Sequence, residues 1–248
     1  AGHQLAFSAD MLVEGRHFLS TVEPARLGHK ALAVNLSDLA ACGATPQAFL
    51  LSLSLPRADE SWLSGFSQGL FQLADAHGCE LIGGDTTQGP LNIAITVMGE
   101  VPVGQTILRS GAQAGDDLYV SGHLGDARLA LEAFRGSISL PQSVFDAARM
   151  RMERPTPRVA LGMALRGIAH AMADISDGLM GDLGHILKAS RVGAEIDLAT
   201  MPALMQTNQL WTCPPDLALT CVLSGGDDYE LVFCAPPSTS EIVHAVSQ

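Results

Sequence analysis

Four short stretches of this 248-residue chain share one pattern: an aspartate set beside serine, threonine or glycine at the end of a small or apolar run. They are Ser8-Ala9-Asp10, Asn35-Leu36-Ser37-Asp38, Gly83-Gly84-Asp85-Thr86 and Asp174-Ile175-Ser176-Asp177-Gly178. Aspartate oxygens are hard ligands that suit Mg²⁺, an ion that takes a few carboxylates and completes its shell with phosphate oxygens and water. Glycine lets a backbone approach a phosphate closely. One such loop is ordinarily a turn. Four of them, in a chain with 16% charged residues, point to a metal–phosphate site.

The charge balance supports that reading. Fourteen lysines and arginines stand against 26 acids, a net charge of −12. A surface this acidic repels nucleic acid and anionic membrane. An anionic substrate would need cations between it and the protein, and bound divalent ions would serve. On composition alone, an acidic surface that merely keeps the protein soluble remains the alternative. The lysine of a P-loop is missing, because neither Lys30 nor Lys188 follows a glycine-rich loop. The protein-kinase glycine loop and His-Arg-Asp pattern are missing too. ATP would therefore be handled through metals and backbone. Five scattered cysteines without CxxC spacing argue against a disulfide framework or zinc site and for a reducing cytoplasm. No apolar run approaches the ~18–20 residues of a membrane helix, and the first residues do not read as a signal peptide.

Single residues can be weighed further. On a helix at about 100° per residue, with Leu27 at zero, Ala31, Val34 and Asp38 fall at about 40°, −20° and 20°. Asp38 thus lies on the apolar stripe, where a carboxylate is costly unless paired or metal-bound; an exposed last turn is the alternative. Ser176-Asp177-Gly178 precedes a helix carrying Leu179, Leu183, Ile186 and Leu187. It is either an anion site at the helix start or ordinary N-capping by Ser176 or Asp177, although capping leaves Asp174 unexplained. Arg109 stands alone before Ser110-Gly111 and reads equally as a phosphate clamp or a surface arginine. His17 is a substrate contact or a structural histidine beside Phe18. No side-chain nucleophile is evident.

The elements that must position these residues mix strands and helices. Strands are expected at 5–8, 49–55, 81–82, 91–97, 118–120 and 194–198. Helices are expected from Pro24 to the stop at Gly43-Ala44-Thr45-Pro46, over 62–77, 125–134, 142–151, 157–169, up to about 190, and over 214–222. The pattern breaks between Pro102 and Gly115, which divides the chain into domains 1–105 and 106–248. Ser238-Thr239-Ser240-Glu241 has the spacing of a capping box that opens a last helix. Both ends read as internal to a longer protein.

The chain resembles the thiamine-monophosphate kinase family, within the superfamily of aminoimidazole ribonucleotide synthetase and selenophosphate synthetase. Five blocks carry the resemblance in order: Asp10–Phe18, Lys30–Ala41, Leu81–Thr87, Asp174–Leu179 and Ser224–Leu231. The resemblance implies two α+β domains, a homodimer through the first, and direct transfer of the ATP γ-phosphoryl to thiamine monophosphate. It implies that Asp10, Asp38, Asp85, Asp174 and Asp177, assisted by Ser8, hold Mg²⁺ ions. Gly84, Arg109 and Ser176 would contact ATP; His17 and Asp227 would contact thiamine phosphate. Two family features lie outside this sequence, an upstream Gly-Asp-Asp and a later aromatic against the thiamine, and Ala9 replaces a frequent threonine. The alternatives are another ATP-using superfamily member, such as a ring-closing or selenophosphate-type synthetase, or an inactive nucleotide- or metal-binding module.

Overall fold

The computed structural model describes residues 2–247. Strands β1 (His3–Val13), β2 (Thr45–Leu55), β3 (Glu80–Gln88) and β4 (Asn92–Pro102) form one sheet in the order β1-β4-β2-β3. β4 runs antiparallel to β1 and β2, whereas β2 and β3 are parallel. The expected alternation is present in β2 and β4. Phe49, Leu53 and Leu55 with Ile93, Ile95 and Val97 are buried against helices α1 (Pro24–Ala41) and α2 (Glu60–Ala76). Proline suits the start of α1, where its missing N–H would have no partner anyway. The Asp59 side chain accepts the Trp62 amide at 3.1 Å and fixes the start of α2.

The second half builds a smaller antiparallel sheet, β5 (Asp117–Val120), β6 (Ala171–Ile175) and β7 (Glu230–Ala235), in the order β5-β7-β6. Around it lie α3 (Asp126–Phe134), α4 (Gln142–Glu153), α5 (Val159–Ala164), α6 (Leu179–Ser190), α7 (Pro215–Ser224) and α8 (Ser240–Val246). β6 and β7 are buried along their whole length because both faces are covered. Met172, Leu231 and Phe233 join the core around α1, while Ala173, Ile175, Val232 and Cys234 join that of α6 and α7. Helix α1 is therefore enclosed from both halves, and from Leu27 to Ala40 only Asp38 escapes full burial. Its single apolar stripe is the narrow reading of a helix buried nearly all round.

Several expected boundaries move. β1 and β3 are longer than expected, and β3 continues straight through Gly83-Gly84-Asp85-Thr86-Thr87. Residues 194–198 form no strand, since the second sheet is complete with β5, β7 and β6 and offers them no partner. The helix expected over 157–169 shrinks to α5. The capping box is not formed: Thr239 is the N-cap of α8, and its hydroxyl donates backward to the Pro236 carbonyl. Cys79, Cys213, Cys221 and Cys234 are buried and Cys42 is half-buried against the core, and burial pushes the thiols of Cys79, Cys213 and Cys234 up to about 11. No described helix is long and apolar enough to cross a membrane.

Candidate active site

Three carboxylates from three elements meet beside α1. Asp10 lies on the helix-facing side of β1, and its amide donates to Asn35 Oδ1 at 3.2 Å. Asp38, in the last turns of α1, accepts the Ser8 hydroxyl. Asp174, near the end of buried β6, accepts the Ser37 hydroxyl at 2.8 Å. Asp10, Asp38 and Asp174 border one cavity of about 240 Å³ together with His17, Val34, Ser176, Asp177, Asp227 and Tyr229. Ser8 serves this cluster by orienting Asp38.

The cluster is short of positive charge. Burial, with the neighbouring Asp38 charge second, pushes Asp174 up to about 7; Asp182 adds to it, against the Ser37 hydrogen bond. The same two causes push Asp10 up to about 6. Among the described residues, no lysine or arginine pairs with Asp10, Asp38 or Asp174. Repelling carboxylates around an open hollow are a donor set for a hard divalent cation. No three acidic, histidine or cysteine side chains among the described residues already stand in one ion's coordination sphere. That openness suits ions that draw the rest of their shell from phosphate and water.

The β6–α6 turn resolves the capping question. Gly178 begins α6 with φ 109°, and a Cβ there would come within 3.0 Å of the Ser224 and Gly225 backbone. No side chain caps this helix; instead Asp182 reaches back and accepts the amides of Ser176 and Asp177, both at 3.0 Å. Those two amides are therefore committed within the protein. The side chains of Ser176 and Asp177 are left to line the cavity.

A second, smaller hollow of about 50 Å³ adjoins the first and shares His17 and Asp227 with it. Its wall is largely apolar, with Phe18, Leu19, Val22 and Met152. The Val13 amide donates to His17 Nδ1 at 3.0 Å, which leaves Nε2 for the cavity. Asp227 and Tyr229 both adopt left-handed backbone, φ 66° and 52°. Their amides are held by the carbonyls of Ser176 and Ile175 at 2.9 and 2.8 Å. The Tyr229 hydroxyl donates to Asp227 Oδ1 at 3.1 Å, and Lys30 Nζ lies 3.1 Å from the same oxygen. Asp228 turns away to accept the Gly125 amide. Glu230, fully buried, binds Ser121, Arg151 and Arg158. A roomier hollow of about 460 Å³ near α8 has no acidic wall, and its Arg158 is already taken by Glu230.

Three expected residues stand elsewhere. Asp85 registers with Ser52, Ser52 with Ala94 and Ala94 with Met11, which puts Asp85 on the exposed face of the first sheet. Gly84 shares a cross-strand row with Asp10 but at the opposite edge, and a Cβ there would lie 1.8 Å from the Leu51 carbonyl oxygen. That glycine is required by strand packing in its own right. Arg109 is exposed between the sheets, with its carbonyl accepting the Ser190 hydroxyl at 3.2 Å. Sequence reasoning missed Asn35, Ser37, Lys30, Tyr229 and Asp182. The i, i+4 ladder Lys30, Val34, Asp38 was a legible signal for the lysine.

The AIR synthase related protein family matches in both parts, the N-terminal domain over residues 1–101 and the C-terminal domain over 113–248. The chain is 48% identical over 233 residues to thiamine-monophosphate kinase of Escherichia coli K12, covering 94% of this chain and 71% of that protein. It is 46% identical to the Haemophilus influenzae enzyme of the same name, over 95% of this chain and 71% of that one. The chain belongs to the thiamine-monophosphate kinase family. The crystal structure of the family member from Stenotrophomonas maltophilia superposes with a TM-score of 0.94 at 45% identity, covering all of this chain and 79% of that one. AaThiL complexed with AMPPCP and TMP superposes with a TM-score of 0.81 at 30% identity, covering 95% of this chain and 76% of that one. The two-domain α+β architecture is that of the family.

Proposed function

We propose that the protein transfers the γ-phosphoryl group of ATP to the phosphate of thiamine monophosphate, giving thiamine diphosphate and ADP. One observation carries this reading beyond family membership. A cavity walled by carboxylates opens, through the shared His17 and Asp227, onto a smaller hollow with an apolar wall. The first suits a metal-bound triphosphate and the second the thiamine end of the acceptor. An oxygen of the acceptor phosphate attacks the γ-phosphorus as the bond to the β-phosphate bridging oxygen breaks, so no protein nucleophile is needed. The protein's task is to hold two anions in line. His17 Nε2 and Asp227 face the acceptor, and Ser176 faces the nucleotide phosphates; Arg109, outside the cavity, would reach ATP only by moving from its exposed place in the interdomain stretch. Asp10, Asp38, Asp174 and Asp177 would hold Mg²⁺, which supplies charge neutralisation for the phosphate oxygens. The domains 1–105 and 106–248 each contribute one side of the site, and the cytoplasm is the compartment that supplies ATP and reduced thiols.

We further propose a homodimer through the first sheet. Leu5, Phe7, Met11, Leu50 and Ile82 are all exposed. Leu5, Phe7, Met11 and Leu50 stand in register on the face turned away from the helices. A second copy would bury them. β1 and β3 are the two edges, three strand spacings or about 14 Å apart. A dimer that sets β3 of one copy beside β1 of the other would bring Gly84, which shares Asp10's row, to the opposite copy's Asp10 edge, with Asp85 one residue further along the same strand. That arrangement would place the motif aspartate at an edge shared by the two copies.

The direct test is thiamine diphosphate formation by the purified full-length protein with Mg·ATP. ADP release that does not depend on thiamine monophosphate, or that answers better to another acceptor, would sink the assignment. Light scattering at micromolar concentration tests the dimer, and a monomer mass counts against it.

A further inference from the structure

We propose that Lys30 is a positioning residue for the phosphoryl acceptor. Its ammonium ties together His17 and Asp227, the two residues shared by the cavities. The inference rests on the reading of His17 and Asp227 as acceptor-binding residues. Lys30 projects from the middle of α1 and its side chain is only 3% exposed. Its ammonium lies 3.1 Å from Asp227 Oδ1 and donates to the His17 carbonyl oxygen at 3.3 Å. Burying an ammonium is costly, and a buried ion pair kept only for stability can be replaced as a pair by apolar side chains of similar volume at little cost.

The geometry gives this lysine a specific task. Asp227 sits in a left-handed backbone conformation that an L-residue seldom adopts without support. Lys30 and Tyr229 both bind its Oδ1, which leaves Oδ2 as the oxygen presented to the cavities. His17 is held at two points, the ring through Nδ1 by the Val13 amide and the carbonyl by Lys30. Lys30 also stands two helical turns before Asp38 on α1, with Val34 between them lining the carboxylate cavity. One rigid helix therefore carries both the acceptor-wall clamp and a carboxylate of the phosphate site. A lysine placed this way sets the acceptor's position relative to the triphosphate without touching the reacting atoms.

The test uses Lys30→Met, Asp227→Asn and the double variant in the full-length protein. Calorimetric Kd for thiamine monophosphate, both KM values, kcat and the thermal midpoint are measured. Lys30→Met should weaken thiamine monophosphate Kd and KM by about tenfold while the ATP KM stays within about twofold, the split expected for loss of acceptor positioning. The double variant should be no worse than Asp227→Asn, because the two residues act as one unit. Unchanged acceptor KM in folded Lys30→Met, an equal rise in both KM values, or additive penalties would overturn the proposal. If Lys30→Met alone does not fold, the double variant against Asp227→Asn decides: equal acceptor KM supports the clamp, and a further rise overturns it. A wild-type protein that makes no thiamine diphosphate would overturn the functional reading itself. Wild-type activity with an unmoved acceptor KM in Lys30→Met overturns only the role of the lysine.

Discussion

Replacing Asp174 by asparagine should stabilise the metal-free protein at high pH while abolishing its activity. The Asp174 carboxyl is pushed from 3.8 up to about 7 by burial and by the Asp38 charge. A carboxyl whose folded pKa lies above its unfolded value binds its proton more tightly in the fold, so its contribution to stability falls as pH rises between about 4 and 7. The displacement is roughly 3 units, or about 4 kcal/mol at full ionisation. Asparagine keeps the shape and an oxygen that can still accept the Ser37 hydroxyl, and it carries no charge to bury. With divalent ions removed, the variant should therefore melt on the order of 10 °C above wild type at pH 8. Near pH 4 the two should melt together. Thermal unfolding in EDTA at the two pH values gives the comparison. A gap that is the same at both pH values, or a variant that melts lower at pH 8, would refute the account of Asp174 as a strained carboxylate.

Mixing inactive Asp38→Asn with inactive Asp85→Asn should restore about a quarter of wild-type activity after subunit exchange, because half of the dimers are mixed and each has one intact site; no recovery would return Asp85 to its own subunit or to a structural role. Mg²⁺ should raise the thermal midpoint more at pH 8 than at pH 5, since protons compete for Asp10 and Asp174, held at about 6 and 7, and equal shifts at both pH values would count against these ligands. Glu230→Ala should cost about 3–5 kcal/mol in urea unfolding by leaving the Arg151 and Arg158 charges without their partner, and a near-neutral result would show that water replaces the carboxylate.

The sequence made the first half's alternating strands legible because one face of that sheet is buried and the other is not. Phe49, Leu53 and Ile95 announce themselves beside Ser52 and Thr96. It was less informative where both faces are covered, as in β7, whose apolar run carries no period. The site was legible wherever a motif aspartate had no local use. Asp38 belongs to a buried helix and Asp174 precedes the turn that would have explained a cap, and both face the cavity. The supporting groups were harder to see, since Asn35, Ser37 and Asp182 act through hydrogen bonds to residues from other elements or across a turn. Nothing in a linear pattern distinguishes such a serine from any other.

Asp85 shows how little error is needed to misplace a site residue. Ending the strand at Ile82 makes Gly83-Gly84-Asp85 a loop, free to turn its carboxylate toward the carboxylate cluster. In the structure the strand runs on to Gln88, and its parity is then set by pairing with β2. Gly84 falls in the row of Asp10, and Asp85 falls one step later on the other face. A one-residue step along a strand reverses the direction of every side chain. The sheet therefore forbids Asp85 from joining its own cluster unless β3 unravels. Its motif resembles that of a site residue nonetheless, and the subunit-mixing experiment decides whether a second copy supplies its partners. Leu5, Phe7, Met11 and Leu50 are exposed on the face that carries Asp85, so the proposed second copy would cover the aspartate together with them.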